Sequence, residues 1–418
     1  MNATWRLLIV RITRRLWFRS ALYGAFGVAS ALIGAVAKPL IPPGVAAQIG
    51  AAAVGNILGI LASSMLAVTT FSLSTMVAAY AAASSNATPR ASTLLIEDSG
   101  SQSALASFIG AFLFSIVGLI ALSTGVYGDS GRLILFAATI MIIVMIVVTL
   151  LRWIDQISRL GRVGETIDRV ERATREAMKP LARAPWLHAS PHGELPADAI
   201  GIFSRRIGYI TYIDVERLQR LADSGDIQLW TGVAAGSFIT PDQVIARLSK
   251  PVDEELAAKI ADAFVVDDLR DFDQDPRFGL VVLTEIAQRA LSPAINDPGT
   301  AIDIIGTVTR LLCEWAEARQ TTPAEELRYP RVHVRALDEG DFFEDVYAPL
   351  VRDSAGLLEV AIRLHKSLAT LGQLGYAPYR AAALAQTGRA LQFSAKRLSL
   401  DSDQQRLLDI AGWRGGSR

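Results

Sequence analysis

Residues 39–89 read PLIPPGVAAQIGAAAVGNILGILASSMLAVTTFSLSTMVAAYAAASSNATP and contain no lysine, arginine, aspartate or glutamate. Two more uncharged stretches follow, at 99–128 and 133–151. Because a charged side chain is costly at the centre of a bilayer, long apolar segments without charge are typical of transmembrane helices. The first third of the chain is therefore predicted to lie in a membrane, and the remainder has the composition of a water-soluble region.

The uncharged stretches predict a transmembrane domain over 20–152. Each predicted span reaches the ~20 residues needed to cross a bilayer; the four spans are 20–41, 54–83, 104–127 and 132–152. Residues 1–19 place apolar side chains at helical spacing between five arginines, which predicts an amphipathic helix at the membrane surface. The pattern Ala35-Val36-Ala37 leaves a cleaved signal peptide as the alternative.

The arginine distribution predicts the orientation of the spans. Five arginines precede the first span, and five more follow the fourth span within residues 152–172. Between the first and second spans the only basic residue is Lys38, at the edge of the connection. Between the third and fourth spans the only basic residue is Arg132. Cytoplasmic flanks are enriched in lysine and arginine, so we expect a multi-pass protein of the inner (plasma) membrane with both termini in the cytoplasm.

The second predicted span carries four polar residues on one helical face. Asn56, Ser63 and Thr70 are seven residues apart and Ser74 follows by four, so they share a face because seven residues nearly complete two turns. Small side chains on this face are typical of close helix packing. A weakly polar lining of a pore between several copies of the chain is the second interpretation, and a carboxamide within a span favours it.

After the spans, the sequence predicts a mixed α+β cytoplasmic region. A charged stalk helix over 153–179 is expected to continue the fourth span until Lys179-Pro180, and a proline-rich linker follows over 180–200. Short β-branched runs predict a small β module over 201–266. Residues 236–244 resemble the barrel-sandwich modules of biotinyl and lipoyl carriers, without the lysine that carries the prosthetic group. Residues 267–418 are predicted to be mainly helical.

A second group of polar residues lies in that helical domain, within the segments DPRFG at 275–279 and ALSPAINDP at 290–298. The candidate residues of this cytoplasmic motif are Asp275, Arg277, Ser292, Asn296 and Asp297. Capping of helices explains them structurally, since aspartate before proline suits a helix N-terminus. A regulatory or ligand-binding role is the functional alternative. The same segments resemble those of a bacterial family of predicted integral membrane proteins, domain of unknown function 2254, which implies four N-terminal spans and no particular substrate.

Several classes of function are disfavoured by the composition. Lysine plus arginine and aspartate plus glutamate both number 41, so no net charge favours nucleic acid. Cys313 is the single cysteine, which excludes an intrachain disulfide. His188 and His192 are separated by Pro191, and the aspartates at 271–275 lack the glycine and glutamate of a calcium loop, so we expect neither metal nor cofactor. No phosphate loop or nucleophile motif predicts an enzyme.

Three functions are therefore weighed. The first is a homo-oligomeric passive channel that is lined by the second span and gated by the cytoplasmic region, because the spans lack the buried charges that proton-coupled transporters use. The second is a membrane-anchored sensor or scaffold without transport activity. The third is an enzyme whose site is assembled from scattered residues. The lipid bilayer and further copies of the chain are the expected partners, and the permeant ion or ligand is not specified by the sequence.

Overall fold

The computed structural model describes residues 51–96, 99–124, 129–159, 161–323 and 326–415, together with helical positions 21, 25 and 29. The chain divides into two compact units, Met1–Thr166 and Ile167–Arg418. The predicted surface helix at 1–19 and nearly all of the predicted span at 20–41 lie outside the described residues.

The described part of the first unit is helical, with α1 (Ala51–Asn86), α2 (Pro89–Ile96), α3 (Ser99–Ser123) and α4 (Asp129–Arg159). Three stretches in it are long and apolar enough to cross a membrane: Ala52–Ala82, Gly100–Ser123 and Gly131–Arg159. These correspond to the second, third and fourth predicted spans. Helix α2 lies in the segment 84–103 that connects the second and third predicted spans, and it begins with proline, whose fixed φ suits the first helical position.

Helix α1 packs along α3, and α4 covers both. One apolar cluster contains Leu58 of α1, Phe114 of α3 and Leu135 of α4. A second cluster joins Met65, Phe108 and other buried side chains around Trp153, whose indole Nε1 donates a 2.9 Å hydrogen bond to Ser72 Oγ. These interlocking side chains, together with a buried polar pair, hold the three long helices together.

The stalk helix does not continue the fourth predicted span, contrary to expectation. Helix α4 ends at Arg159, and α5 (Val163–Arg183) is a separate helix. Gly161 adopts a φ of +82°, a left-handed conformation that terminates helices and that glycine tolerates best. The expected stop at Pro180 is also wrong, because proline lies inside α5 and the helix continues to Arg183. A proline this near the C-terminal end removes only one of the helical hydrogen bonds.

The second unit contains two sheets. Its strands are β1 (Ala189–Pro191), β2 (Ile200–Phe203), β3 (Gly208–Ile213), β4 (Leu229–Thr231), β5 (Phe238–Ile239), β6 (Val244–Leu248), β7 (Phe264–Asp267) and β8 (Tyr329–Val334). One sheet has the order β1-β8-β4-β6-β2, and the other has the order β5-β3-β7. The barrel-sandwich resemblance is not confirmed, since β8 enters the larger sheet in parallel with both β1 and β4.

The helices of the second unit are α6 (Val215–Gly225), α7 (Glu254–Ala261), α8 (Pro276–Ala290), α9 (Pro298–Thr321), α10 (Gly340–Asp353), α11 (Leu358–Gly372), α12 (Ala377–Arg397) and α13 (Asp401–Ile410). Helix α6 packs on the larger sheet around buried Leu218. Helices α8 to α12 enclose a core with Phe342, Phe343, Tyr347 and Tyr379, all fully buried.

Helix α5 is anchored within the second unit by its polar side chains as well as its apolar face. Glu171 forms an ion pair with Arg310 of α9 at 3.1 Å, and Arg175 forms one with Glu314 of the same helix at 2.7 Å. Gly279 of α8 leaves space for Thr174, which an added Cβ would strike. The carboxyl-terminal part of the predicted stalk is therefore a packed element of the second unit.

Candidate functional site

The four polar residues predicted to share a face of α1 do so in the structure. Asn56, Ser63, Thr70 and Ser74 are all exposed. The opposite side of α1 is buried against its neighbours through residues such as Leu58, Leu61 and Met65. We call the stripe defined by Asn56, Ser63, Thr70, Ser74 and the half-buried Gly59 the polar face of α1.

The hydroxyl groups of the polar face are satisfied within α1 itself. Ser63 Oγ donates to the carbonyl of Gly59 at 3.1 Å, Thr70 Oγ1 to Leu66 at 3.0 Å and Ser74 Oγ to Thr70 at 3.0 Å. Such bonds to the preceding turn lower the cost of hydroxyls in an apolar surrounding. Asn56 differs, because its carboxamide forms no hydrogen bond within the part of the chain that the structure describes. It needs a partner from water or another segment.

The outward surface of α4 differs in character from the polar face. Its exposed side chains are large and apolar, including Ile140, Met141, Val144, Val147 and Leu151. Helix α1 also exposes large apolar side chains, such as Phe71 and Val77, on either side of its polar stripe. Hydrocarbon chains suit the surface of α4, whereas a stripe of small and polar side chains suits contact with another helix or with water.

Asp275 caps α8 and is almost completely buried. Its Oδ1 accepts the backbone N–H of Phe278 at 3.1 Å, and its Oδ2 accepts Nε of Arg270 at 2.7 Å. The carboxylate lies directly against Gly236, whose φ of +87° and missing Cβ permit this approach. Burial raises the pKa of Asp275 above its ordinary value of 3.8, against the opposing effect of Arg270.

Arg277, one residue into α8, joins that helix to α10. Its Nε and Nη2 bind the two carboxylate oxygens of Asp345 at 2.7 and 3.0 Å, and its Nη1 contacts Asp341. This bidentate arrangement fixes the geometry between the two helices. Sequence reasoning did not find Asp341 or Asp345, because they are more than sixty residues away along the chain and only the i,i+4 spacing of the two on one helix links them.

The remaining three candidates lie at the other end of α8. Ser292 Oγ donates to the carbonyl of Arg289 at 2.6 Å, and Asn296 has a left-handed φ of 49° in the turn. Asp297 caps α9 by accepting the N–H and hydroxyl of Thr300, and the hydroxyl bond in particular lowers the pKa of the Asp297 carboxyl.

The cytoplasmic motif is thus split between two places. Helix α8 has 15 residues, so its ends are separated by about 22 Å at 1.5 Å per residue. The structure does not bring Asp275 and Arg277 together with Asn296 and Asp297 in one site. Their contacts are those of helix caps and of an interhelical ion pair.

Histidine, cysteine and carboxylate side chains do not assemble a metal centre in the described residues, where no group of three such ligands is found. His188 contacts the carbonyl of Glu326 at 3.2 Å through Nδ1. His333 stacks on Trp230 with ring centroids 4.8 Å apart and binds Gln228 and the carbonyl of Pro191. Both histidines therefore have structural contacts.

The family comparison agrees with the helices of the first unit. The model of a family described as "Predicted membrane protein (DUF2254)" matches residues 13–370, which is most of the chain. The chain belongs to this family. The match covers the three long apolar helices, the sheets and helices α5 to α10.

Similar curated proteins are known from mycobacteria. An uncharacterized protein of Mycobacterium bovis (Mb1321c) and one of Mycobacterium tuberculosis strain H37Rv (Rv1290c) are each 30% identical over 116 residues, which covers 26% of this chain and 22% of theirs. A third, from strain CDC 1551 of M. tuberculosis (MT1328), is 29% identical over the same length. The matched region thus spans about a fifth of the length of these relatives. No solved structure matches the chain.

Proposed function

We propose that this member of the family is a homo-oligomeric passive channel of the inner membrane, lined by the polar face of α1 and gated by its cytoplasmic unit. The observation that carries the proposal is the exposed stripe of Asn56, Ser63, Thr70 and Ser74 beside an α4 surface of large apolar side chains. In a bilayer the two surfaces have different preferred surroundings.

Several copies of α1 around an axis give Asn56 the partner that a lipid cannot supply. The carboxamide then binds water or the same residue of a neighbouring copy, while the hydroxyls keep their bonds to the preceding turn and present weakly polar surfaces. A single copy in lipid instead leaves the carboxamide without a hydrogen bond, at a cost of about 1–3 kcal/mol on scales derived from protein mutants.

The absence of charge in the middle of the described spans supports passive conduction. Ala52–Ala82 and Gly100–Ser123 contain no ionisable residue of the Asp, Glu, Lys, Arg or His type, and in Gly131–Arg159 these types occur only near the ends. Proton relays and voltage sensors need such groups at depth. The proposed orientation has both termini in the cytoplasm, and it rests on the arginines flanking the membrane domain.

Flux through proteoliposomes that contain the purified chain tests this function. We expect ion or small-solute flux from the wild type, a changed conductance from Asn56→Leu, and unchanged conductance from the matched control Val144→Leu on the apolar surface of α4. Wild-type liposomes without flux at any applied pressure, voltage or pH would contradict the channel.

The alternative is a membrane-anchored sensor or scaffold. It is favoured by the size of the second unit, Ile167–Arg418, and by hydroxyls on α1 that already have partners in their own helix. Under this alternative Asn56→Leu alters assembly or has no effect, and the wild type conducts nothing.

A further inference from the structure

Three exposed apolar side chains of the second unit, two of them phenylalanines, lie on or next to strands β2, β3 and β5. Phe203 at the end of β2 is 50% exposed, Ile207 before β3 is 60% exposed and Phe238 of β5 is 51% exposed. Between the first two lie Arg205 and Arg206, both exposed. We call these five residues the β-edge patch. An apolar cluster of this kind on a surface marks a site of interaction more often than chance.

Strand register places the members of the patch close together. Phe203 pairs with Val244 of β6, and Gly208, which follows Ile207, pairs with Ile239 of β5. The connections 204–207 and 240–243 therefore run beside each other. Tyr209 pairs with Phe238, and their rings meet edge-to-face with centroids 5.1 Å apart. Tyr209 and Phe238 lie on the same side of the sheet because they are cross-strand partners, and Ile207 immediately precedes β3.

Hydrogen bonds fix the backbone of the turn that carries the two arginines. Ser204 Oγ binds the N–H of Arg206 at 3.0 Å and its carbonyl at 2.8 Å, which fixes the turn. Arg205 reaches Glu254 at 3.2 Å, but both side chains are mostly exposed, so the pair is worth about 0–1 kcal/mol. Arg206 forms no ion pair with a residue that the structure describes. The turn thus offers cationic groups between exposed aromatic and aliphatic side chains.

We propose that the β-edge patch binds the headgroup region of an anionic bilayer. Phenylalanine and isoleucine enter the boundary between headgroups and acyl chains, while arginine remains among the phosphates. The described residues of the same chain include three helices long enough to cross a membrane, so a lipid surface is part of the protein's surroundings. This contact is independent of channel activity and is a second, reversible attachment of the chain to the membrane, through the sheets of the second unit.

Depth-dependent quenching in the full chain tests the patch. In a Cys313→Ala background, a fluorophore that responds to its environment is attached to Phe238→Cys, or to Leu400→Cys as the control, since Leu400 is 59% exposed. The protein is placed in nanodiscs of phosphatidylcholine alone or mixed with phosphatidylglycerol. Aqueous iodide and lipids with a nitroxide on the acyl chain are the two quenchers.

In anionic discs we expect the nitroxide lipid to quench the probe at position 238 and iodide to reach it less than the probe at position 400. The double substitution Arg205→Glu and Arg206→Glu should return the probe at position 238 to water. Each arginine near an anionic surface contributes about fivefold to binding. Equal iodide quenching at both positions in both lipids overturns the proposal. The proposal is also overturned if the probe at position 238 is shielded equally in both lipids and Phe238→Cys forms a disulfide between two copies. That result would indicate a contact between copies of the chain.

Discussion

Arg277 of α8 and Asp345 of α10 form a bidentate ion pair, with distances of 2.7 Å from Nε to Oδ2 and 3.0 Å from Nη2 to Oδ1. The two residues are 68 positions apart in sequence. The Arg277 side chain is 32% exposed and that of Asp345 is 18% exposed, so solvent screens the pair only in part. This contact gives the arginine of the DPRFG segment a structural role between two helices.

Arg277→Ala is expected to destabilise the second unit. It leaves Asp345 partly buried without its strongest partner, and the loss of such a charge-assisted pair costs about 1–3 kcal/mol. Urea unfolding followed by tryptophan fluorescence measures the free energy of unfolding. The matched control is Arg352→Ala, since Arg352 is 58% exposed and pairs with its neighbour Asp353, and it should change stability by less than about 0.5 kcal/mol. Equal losses of unfolding free energy from Arg277→Ala and Arg352→Ala would contradict the stabilising role of Arg277.

The two helix caps should respond to pH in opposite directions. Burial raises the pKa of Asp275 above 3.8, so its contribution to stability is complete below that value and is lost as the pH rises through the folded-state pKa. Hydrogen bonds from Thr300 lower the pKa of Asp297 below 3.8, so its contribution is present above that value and is lost as the pH falls through the folded-state pKa.

Asp275→Asn and Asp297→Asn separate these two effects. Asparagine keeps the capping oxygen in both positions but cannot ionise. Relative to the wild type, we expect Asp275→Asn to gain stability as the pH rises from about 3 to about 6, and Asp297→Asn to lose it. Unfolding free energies measured across this range check the prediction. The same sign of slope for both variants would show that one of the two assignments is incorrect.

Two glycines of the membrane helices offer a test of assembly. An added Cβ at Gly118 would lie 3.2 Å from Leu58 Cδ1 and 3.4 Å from Leu135 Cδ1, whereas a Cβ on Gly59 would have no neighbour within 4 Å among the described residues outside its own helical backbone. Gly118→Leu should therefore destabilise the single chain, by about 1–3 kcal/mol for an overpacked interior. Gly59→Leu should leave the single chain folded and separate the oligomer.

Thermal unfolding in detergent and size-exclusion chromatography with light scattering distinguish these outcomes. Gly59→Leu that retains both the wild-type mass and the wild-type unfolding temperature would argue against contact between copies through the polar face of α1.

Removal of one hydroxyl tests the polar contact inside the membrane unit. Ser72→Ala leaves the buried indole N–H of Trp153 without its 2.9 Å acceptor, which costs about 1 kcal/mol in helix bundles of membranes. Ser85→Ala is the control, because that hydroxyl is exposed and bonds only to the carbonyl of Ala82. We expect Ser72→Ala alone to lower the unfolding temperature and shift the tryptophan emission. Identical behaviour of the two variants would contradict the contact.

Features that depend on residues close together in the chain, such as helix starts and helical faces, were predicted from the sequence. Asp297 followed by Pro298 marked the start of α9, and the seven-residue spacing placed Asn56, Ser63 and Thr70 on one face. These inferences depend on helix geometry and on caps within three or four residues. The break at Gly161 was missed because glycine adopts left-handed and helical conformations alike, and only the fold selects between them.

Contacts between segments that are distant in the chain could not be predicted from the sequence. The pairing of β8 with β1 and β4 joins its residues to positions more than a hundred residues earlier, and nothing in the short sequence of β8 specifies the partner strands. The same holds for Arg277, whose partners on α10 follow from packing of the core around Phe342 and Tyr347. Helix α2 was missed for a local reason, since its eight residues are too few for a clear periodic pattern.

Disulfide cross-linking in native membranes tests most directly whether the polar face of α1 meets further copies of the chain. In a Cys313→Ala background, Thr70→Cys is compared with Val144→Cys, which is 59% exposed on the apolar surface of α4. We predict that a mild oxidant converts the Thr70→Cys chain to covalent dimers and leaves the Val144→Cys chain monomeric. Dimers from Val144→Cys alone, or a Thr70→Cys thiol shielded by residues 20–41 of its own chain, would contradict it.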